Sequence, residues 1–357
     1  MRTFFTAVVL LVTASCAARQ PVHSPLADIS TCRQTITAGG RAGAPIAWSG
    51  PGDYEDRERL DAWCSGVGPA VLIETPAGRE PRAPIESVAF VTWNTHVGGG
   101  DIAGLLAAVR RGELTGGEPV AHVVLLLQEV FREGADVPAP TAGRDAGASR
   151  IAAAPPRGAR TDIVALARTL GLAMLYVPSM RNGRADGGPP EDRGNAILTS
   201  LPLSNVAAIE LPFDRQRRVA VAATISGLDA DGVPWHLRVA SSHLNATAGA
   251  DRLWLFASGV RAAQARSLAA ALGSVEPAIL GSDLNTWADG PREPAVRELR
   301  TQFPDTGHPG LAPTFRLGLM LDYLFFRLPD GWTGVSTRVD DRFGSDHHPL
   351  LGRIQID

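Results

Sequence analysis

The sequence predicts an α+β fold in which two β-sheets pack face to face with helices outside, and three observations carry that reading. The chain has 357 residues, 45% hydrophobic and 20% charged, which supplies a large packed core and excludes a disordered or fibrous chain. Apolar runs rich in β-branched and aromatic residues recur in clusters between residues 87 and 355, and only a few stretches show helical periodicity. No such stretch separates the strands between 195 and 242, where a doubly wound parallel sheet needs helical crossovers.

The elements follow in order. Residues 1–15, MRTFFTAVVLLVTAS, join a basic start to an apolar core of roughly ten residues. That core is too short to span a bilayer of about 30 Å and reads as an export signal peptide. Cys16 follows Thr13-Ala14-Ser15, a run resembling a bacterial lipobox with Thr13 where Leu is usual. Cleavage before Cys16 leaves a lipidated, membrane-anchored N-terminus. Cleavage after Cys16-Ala17-Ala18 leaves a soluble exported chain. The expected location is the periplasm, the cell surface or the medium. In such an oxidising compartment Cys32 and Cys64 pair as a disulfide, closing a loop of about 33 residues. On the chain-entropy account the bridge contributes roughly 3–4 kcal/mol.

Residues 16–85 read as an N-terminal extension or cap with Pro, Gly and Ser turns and one short amphipathic stretch, Tyr54 to Trp63. The main domain spans 86–357. It opens with a buried strand at 87–93, followed by a helix with Ile102, Leu105, Leu106 and Val109 on one face, and a second buried strand at 120–130 closed by Gln128-Glu129. Residues 133–160 are Ala/Gly/Pro/Arg-rich and aperiodic, a loop or lid. Thr161 caps the next helix and Gly171 ends it. Strands follow at 173–177, 195–199, 206–211, 218–225 and 236–242, then a helix at 259–272. Tyr176 belongs to the core. The last strands are 277–281, 321–326, 334–338 and 350–355. The 27 Pro and 38 Gly follow no period, which excludes collagen-like and solenoid architectures.

Polar residues gather where these apolar strands run out, the positions from which a rigid scaffold presents chemical groups. In chain order they are Asn94, Glu129, His243, Asp283 with Asn285, Asp322, and Asp346-His347. A carboxylate ending so apolar a strand as VVLLLQE must be paired or bind a cation. Singly, a strand-end Asp or Asn reads first as a turn former or cap, and a lone His as a satisfied structural residue. As an ordered set they do not.

The set resembles the endonuclease/exonuclease/phosphatase superfamily over roughly residues 86–357. The matching motifs are TWNTH (92–96), LLQEV (126–130), RGNAILTS (193–200), SSHLNA (241–246), GSDLNTW (281–287), LDYLFF (321–326) and SDHHP (345–349). The resemblance implies a four-layered αββα sandwich and a metal-dependent phosphoesterase using Mg²⁺ or Mn²⁺. Hydrolysing a phosphodiester calls for a hard cation that polarises phosphoryl oxygens, held by a few carboxylate oxygens and waters. By resemblance Glu129 is the main metal ligand, with Asn94 beside it and Asp346 a further ligand. His347, its imidazole oriented by Asp322, acts as base or electrostatic partner for the attacking water. Asp283 lies near that water, Asn285 donates to a phosphoryl oxygen, and His243 contacts the phosphate or the leaving oxygen. Asn195 lines the site or merely starts a strand. Arg218 holds a phosphate or pairs with a surface carboxylate. His96 and His348 support the site without acting in it.

The resemblance leaves the substrate open. An exported phosphodiester hydrolase acting on nucleic acid is the first reading, and a sphingomyelinase-like or inositol-phosphate enzyme is the alternative. A lipid-anchored binding protein without catalysis is a third, disfavoured because Glu129, His243, Asp283, Asn285, Asp322 and His347 are all present. The chain is expected to act as a monomer. All 34 basic residues are Arg, 37 are acidic, and the formal charge of −3 excludes tight coating of duplex DNA without excluding its turnover. Arg181, Arg184, Arg193, Arg215, Arg217 and Arg218 form a local basic concentration. It reads as a binding face for an anion, or as a solvated face paired with Asp186, Glu191, Asp192 and Asp214. Leu253 to Phe256 is either the buried start of a helix or an exposed apolar patch.

Overall fold

A computed structural model describes residues 24–25, 35–37, 46–50, 54–74, 83–138, 150–151, 158–182, 190–214, 216–246, 257–274, 276–304 and 312–356. The signal segment with Cys16, the partner cysteine Cys32, most of the 133–160 loop and Leu253 to Phe256 lie outside the described residues. Among those residues no helix is long and apolar enough to cross a membrane.

Among the described residues sixteen strands form two sheets. The strands are β1 (Ser24–Pro25), β2 (Thr35–Thr37), β3 (Ala47–Gly50), β4 (Ala70–Ile73), β5 (Ser87–Asn94), β6 (Val123–Glu133), β7 (Arg150–Ile151) and β8 (Ala173–Asn182). They continue as β9 (Glu191–Thr199), β10 (Leu203–Glu210), β11 (Val219–Leu228), β12 (Pro234–His243), β13 (Ala278–Asp283), β14 (Asp322–Arg327), β15 (Thr333–Arg338) and β16 (Leu350–Gln355). The helices are α1 (Tyr54–Cys64), α2 (Ile102–Arg110), α3 (Ile163–Leu170), α4 (Ser258–Leu272) and α5 (Pro294–Arg300). One sheet runs β1-β3-β10-β11-β12-β13-β14. The other runs β15-β16-β5-β6-β9-β8-β4-β2, with β7 added beside β8.

The near-continuous apolar character of the inner strands follows from burial on both faces. Alternate residues point opposite ways. On β6, Val124 and Leu126 meet Val221, Val239, Ile279 and Phe326 between the sheets, while Leu125 and Leu127 meet Leu105, Leu106 and Ile163 of α2 and α3. On β13, Ile279 faces the other sheet and Leu280 packs with Leu268 and Val296 of α4 and α5. The result is the four-layered αββα sandwich the motifs imply. The sheets approach closely at Gly281, where a Cβ would lie 2.6 Å from Thr92 Cβ and 2.9 Å from Leu126 Cβ.

The segment before residue 86 is woven into both sheets. β3 pairs in parallel with β10, and β4 pairs antiparallel with β8. Ile46, Trp48, Leu60 and Cys64 join the inter-sheet core. The capping residue of α3 is Asp162, not Thr161: its carboxylate accepts from Ala165 N at 2.7 Å, whereas Thr161 N donates to Gly98 O. Gly171 ends the helix in the left-handed conformation at φ 63°. β6 does not stop at Glu129. It runs on to Glu133 through a bulge between Leu127 and Val130 that the apolar pattern does not announce.

Candidate active site at the strand ends

Three neighbouring strands of one sheet place their polar ends in a row. The register aligns His243 with Asp283 across β12 and β13, and Asp283 with Asp322 across β13 and β14. From the other sheet, Asn94 ends β5, and Asp346 and His347 sit in the turn before β16. Asn94 Nδ2 donates to Asp283 Oδ2 at 2.8 Å, bridging the two sheets. Ser345 Oγ donates to Asn94 O at 2.7 Å, and Trp93 Nε1 donates to His347 O at 3.1 Å. The last turn is thereby fixed to the end of β5.

Glu129 occupies the β6 bulge with φ 52°, a conformation uncommon for a non-glycine residue. Bulges re-aim side chains beside functional sites. Here the carboxylate reaches Arg193 Nη1 at 3.3 Å and His243 Nδ1 at 3.9 Å. Burial pushes the Glu129 carboxyl up, but the charges of Arg193, Arg218, His347 and His96 outweigh it and hold the group below its ordinary range.

His347 Nδ1 lies 2.8 Å from Asp322 Oδ2, with both side chains buried. Burial alone would depress His347. The charge of Asp322 and its hydrogen bond, with Asp283 and Asp346, reverse that and push it up to about 10. Asp283 moves the other way from a carboxylate's usual value, up to about 7, through burial and the neighbouring Asp322 charge. It accepts from Asn94 Nδ2 and from Asn285 N at 3.0 Å. His243 is depressed well below its ordinary value by burial, then by Arg218, Arg193 and His347. Its Nε2 stands 3.4 Å from Asp283 Oδ2.

The structure thus brings Asn94, Glu129, His243, Asp283, Asn285, Asp322, Asp346 and His347 to one end of the sandwich. Asp346 Oδ1 is 4.0 Å from His347 Nε2 and 3.6 Å from His96 Nδ1. Asn195 is not a free donor here: its amide donates to Val219 O at 2.6 Å, tying β9 to the start of β11. It lies inside β9, which begins at Glu191, and not at a strand start. Among the described residues Arg218 hydrogen-bonds no carboxylate. Its Nε donates to Asn245 Oδ1 at 3.2 Å and its Nη2 to Gln216 Oε1 at 3.0 Å. His348 turns to Val339 O instead.

The basic concentration is not a solvated face. Arg181, Arg193, Arg217 and Arg218 are buried, and Arg184 and Arg215 lie outside the described residues. Arg217 bonds Glu210 and Pro178 O, while Glu191 and Asp192 pair with Arg160 and Arg132. Tyr176 is a core residue whose hydroxyl donates to Asp192. Arg193, Asn245 and Phe315 belong to the site's surroundings although the motif reading assigned them no part. Phe315 packs its ring 4.8 Å from that of His347. Arg193 and Asn245 sit inside quoted motifs, so position was available as a signal; Phe315 had none.

Donor chemistry suits a hard cation. Asp283, Asp322 and His347 offer ligand atoms within 4.8 Å of one another, and Asp322 Oδ1 is buried without a hydrogen-bond partner. The Glu129 oxygens are engaged only by long contacts to Arg193 and His243. Oxygen-rich donor sets of this kind fit Mg²⁺ or Mn²⁺.

A two-sheet αββα sandwich with carboxylate, amide and imidazole groups converging at its strand ends defines a phosphoesterase fold. The chain belongs to the Endonuclease/Exonuclease/phosphatase family, whose profile matches residues 91–347. No curated protein matches the sequence significantly. Similar solved structures include the catalytic domain of human Nocturnin with bound sulfate, at 17% identity, 79% of this chain, 100% of that one and a TM-score of 0.46. A mannosyl-6-phosphatase of Bacteroides thetaiotaomicron is 11% identical over 75% of this chain and 99% of that one, with a TM-score of 0.41. Sphingomyelinase C from Streptomyces griseocarneus is 15% identical over 75% and 99%, with a TM-score of 0.40.

Proposed function

We propose that this chain is an exported, Mg²⁺-dependent phosphodiester hydrolase acting on nucleic acid. The observation that carries the reading is the convergence of Asp283, Asp322 and His347, with Asn94 clamping Asp283 across the two sheets. Glu129 and Asn94, with Asp346 near them, would hold the cation, whose contribution is to polarise a phosphoryl oxygen. Asp322 fixes the tautomer and orientation of His347, which presents Nε2 to the substrate. Asp283 orients the attacking water. Asn285 donates to a phosphoryl oxygen, and His243 contacts the leaving oxygen. Arg218 holds a phosphate of the substrate.

Export rests on the signal-like residues 1–15, and the small-residue run before Cys16 supports a lipid anchor. The Cys32–Cys64 bridge rests on that compartment and on the pairing arithmetic. A non-reduced digest analysed by mass spectrometry should contain the linked peptide; both cysteines alkylated without reduction would refute it. The substrate class is tested by assaying the purified protein on plasmid DNA and on sphingomyelin vesicles in parallel, with His347→Ala as control. Metal-dependent nicking of DNA with intact vesicles is expected. The reverse outcome assigns the enzyme to phospholipid.

A further inference from the structure

Arg218 differs from four other buried arginines in having, among the described residues, no carboxylate among its hydrogen-bond partners. Arg132 faces Asp192, Arg217 faces Glu210, Arg261 faces Glu293 and Arg193 faces Glu129. Arg218 is 5% exposed and, among the described residues, bonds the neutral amides of Asn245 and Gln216. A buried guanidinium that hydrogen-bonds no carboxylate, and is offset only by the charges of Glu129 and Asp283 beyond hydrogen-bond reach, is costly unless an anion completes it.

Its partner has an unused donor. Asn245 is 1% exposed, its Oδ1 accepts from Arg218, and its Nδ2 is buried with no hydrogen-bond partner. The residue is held firmly: its N donates to Gln264 Oε1 at 3.0 Å and its O accepts from Arg261 Nη1 at 3.4 Å. Arg193 acts on the same groups from the other sheet, since its charge and that of Arg218 both bear on Glu129 and His243. Burial and then the Arg193 charge lower Arg218 to about 10, outweighing the opposing charges of Glu129 and Asp283, and a bound anion offsets both causes.

Position sets Arg218 at the β11 end of the hydrolytic row, next to β12, which ends in His243. Arg218 immediately precedes β11, in the order β11-β12-β13-β14, whereas Asp322 starts β14. At about 4.8 Å per strand, the two positions are three spacings, about 14 Å, apart. A phosphate seated at the β14 end of that row, against Asp322 and His347, leaves Arg218 for a neighbouring anion.

We propose that Arg218, Asn245 and Arg193 form a second anion subsite flanking the hydrolytic cluster, which takes a substrate phosphate adjacent to the one hydrolysed. The subsite rests on the hydrolytic reading and deepens it. The preferred substrate carries at least two neighbouring phosphates, as a polynucleotide strand does, and a lone diester is a poor one.

The test uses two chromogenic esters with the same scissile bond, thymidine 5′-(p-nitrophenyl phosphate) with and without a 3′-phosphate. The full chain should hydrolyse the 3′-phosphorylated ester with kcat/KM higher by about tenfold or more. In Arg218→Gln, and in Asn245→Asp, which sets a carboxylate beside Arg218, that ratio should fall toward one, while Arg218→Lys keeps part of it. A second arm needs no turnover: with EDTA present, inorganic phosphate should raise the melting temperature of the wild type and not of Arg218→Gln, against chloride at equal ionic strength. A wild-type ratio near one, or a ratio unchanged in both variants, overturns the subsite. If neither ester is hydrolysed, the hydrolytic reading fails and the melting arm alone decides the subsite.

Discussion

Replacing Asp192 by Ala should destabilise the protein more than any other single change in the N-terminal half of the sandwich. The carboxylate is fully buried and accepts four hydrogen bonds: Arg132 Nη2 at 2.6 Å, Arg132 Nε at 3.2 Å, the Tyr176 hydroxyl at 2.8 Å and Gly68 N at 2.8 Å. Arg132 in turn donates to Pro69 O at 2.8 Å, so the pair fastens residues 68–69 to β6 and β9. Removing the carboxylate leaves a buried guanidinium unpaired, which costs about 3–5 kcal/mol, and two orphaned donors push toward the upper end. For a domain of this size that is a fall in Tm of roughly 6–20 °C. Urea unfolding followed by circular dichroism measures it. The double variant Arg132→Met, Asp192→Leu should recover most of the loss, because neither charge then remains buried alone. A single variant within about 1 kcal/mol of wild type, or a double variant no better than the single, would refute the reasoning.

Three further variants test the site. Asp322→Asn should lower kcat by about 10²–10⁴-fold by releasing the orientation of His347. In metal-free protein His347 sits at about 10, above its unfolded value, so its stabilisation is complete below pH 6.5 and disappears as pH rises through 10. Asp322→Asn should flatten that decline in a melting series. Gly281→Ala should destabilise the fold by about 1–3 kcal/mol and reduce activity together, since a Cβ there meets Thr92 two residues before Asp283. Glu129→Gln should weaken divalent-cation binding at least about tenfold by calorimetry and lower the melting temperature of metal-free protein, because buried Arg193 loses its carboxylate. Unchanged affinity would remove Glu129 from the ligand set.

The inner strands were legible because double-sided burial makes them continuous apolar runs. Their polar ends were legible because a charged group is conspicuous where such a run stops. Residues 46–73 were not legible as sheet strands: β3 and β4 are four residues each, bounded by Gly and Pro, and only their docking against β10 and β8 makes them strands. Nor does any local signal mark Glu129 for a bulge, because a glutamate at positive φ is imposed by the register on either side. The arginines show the same limit. Arg193 and Arg217 look like a surface charge run in sequence, yet pairing with Glu129 and Glu210 from distant segments puts them inside.

The proposed activity is metal-dependent hydrolysis of a phosphodiester at the Asp283, Asp322 and His347 cluster. Its most direct measurement is release of p-nitrophenol from bis(p-nitrophenyl) phosphate by the purified protein, with Mg²⁺ or Mn²⁺ and then with EDTA, beside His347→Ala. Turnover that EDTA abolishes, that added cation restores and that His347→Ala lacks is the predicted result. Turnover that survives EDTA or persists in His347→Ala would contradict it, as would none with either cation.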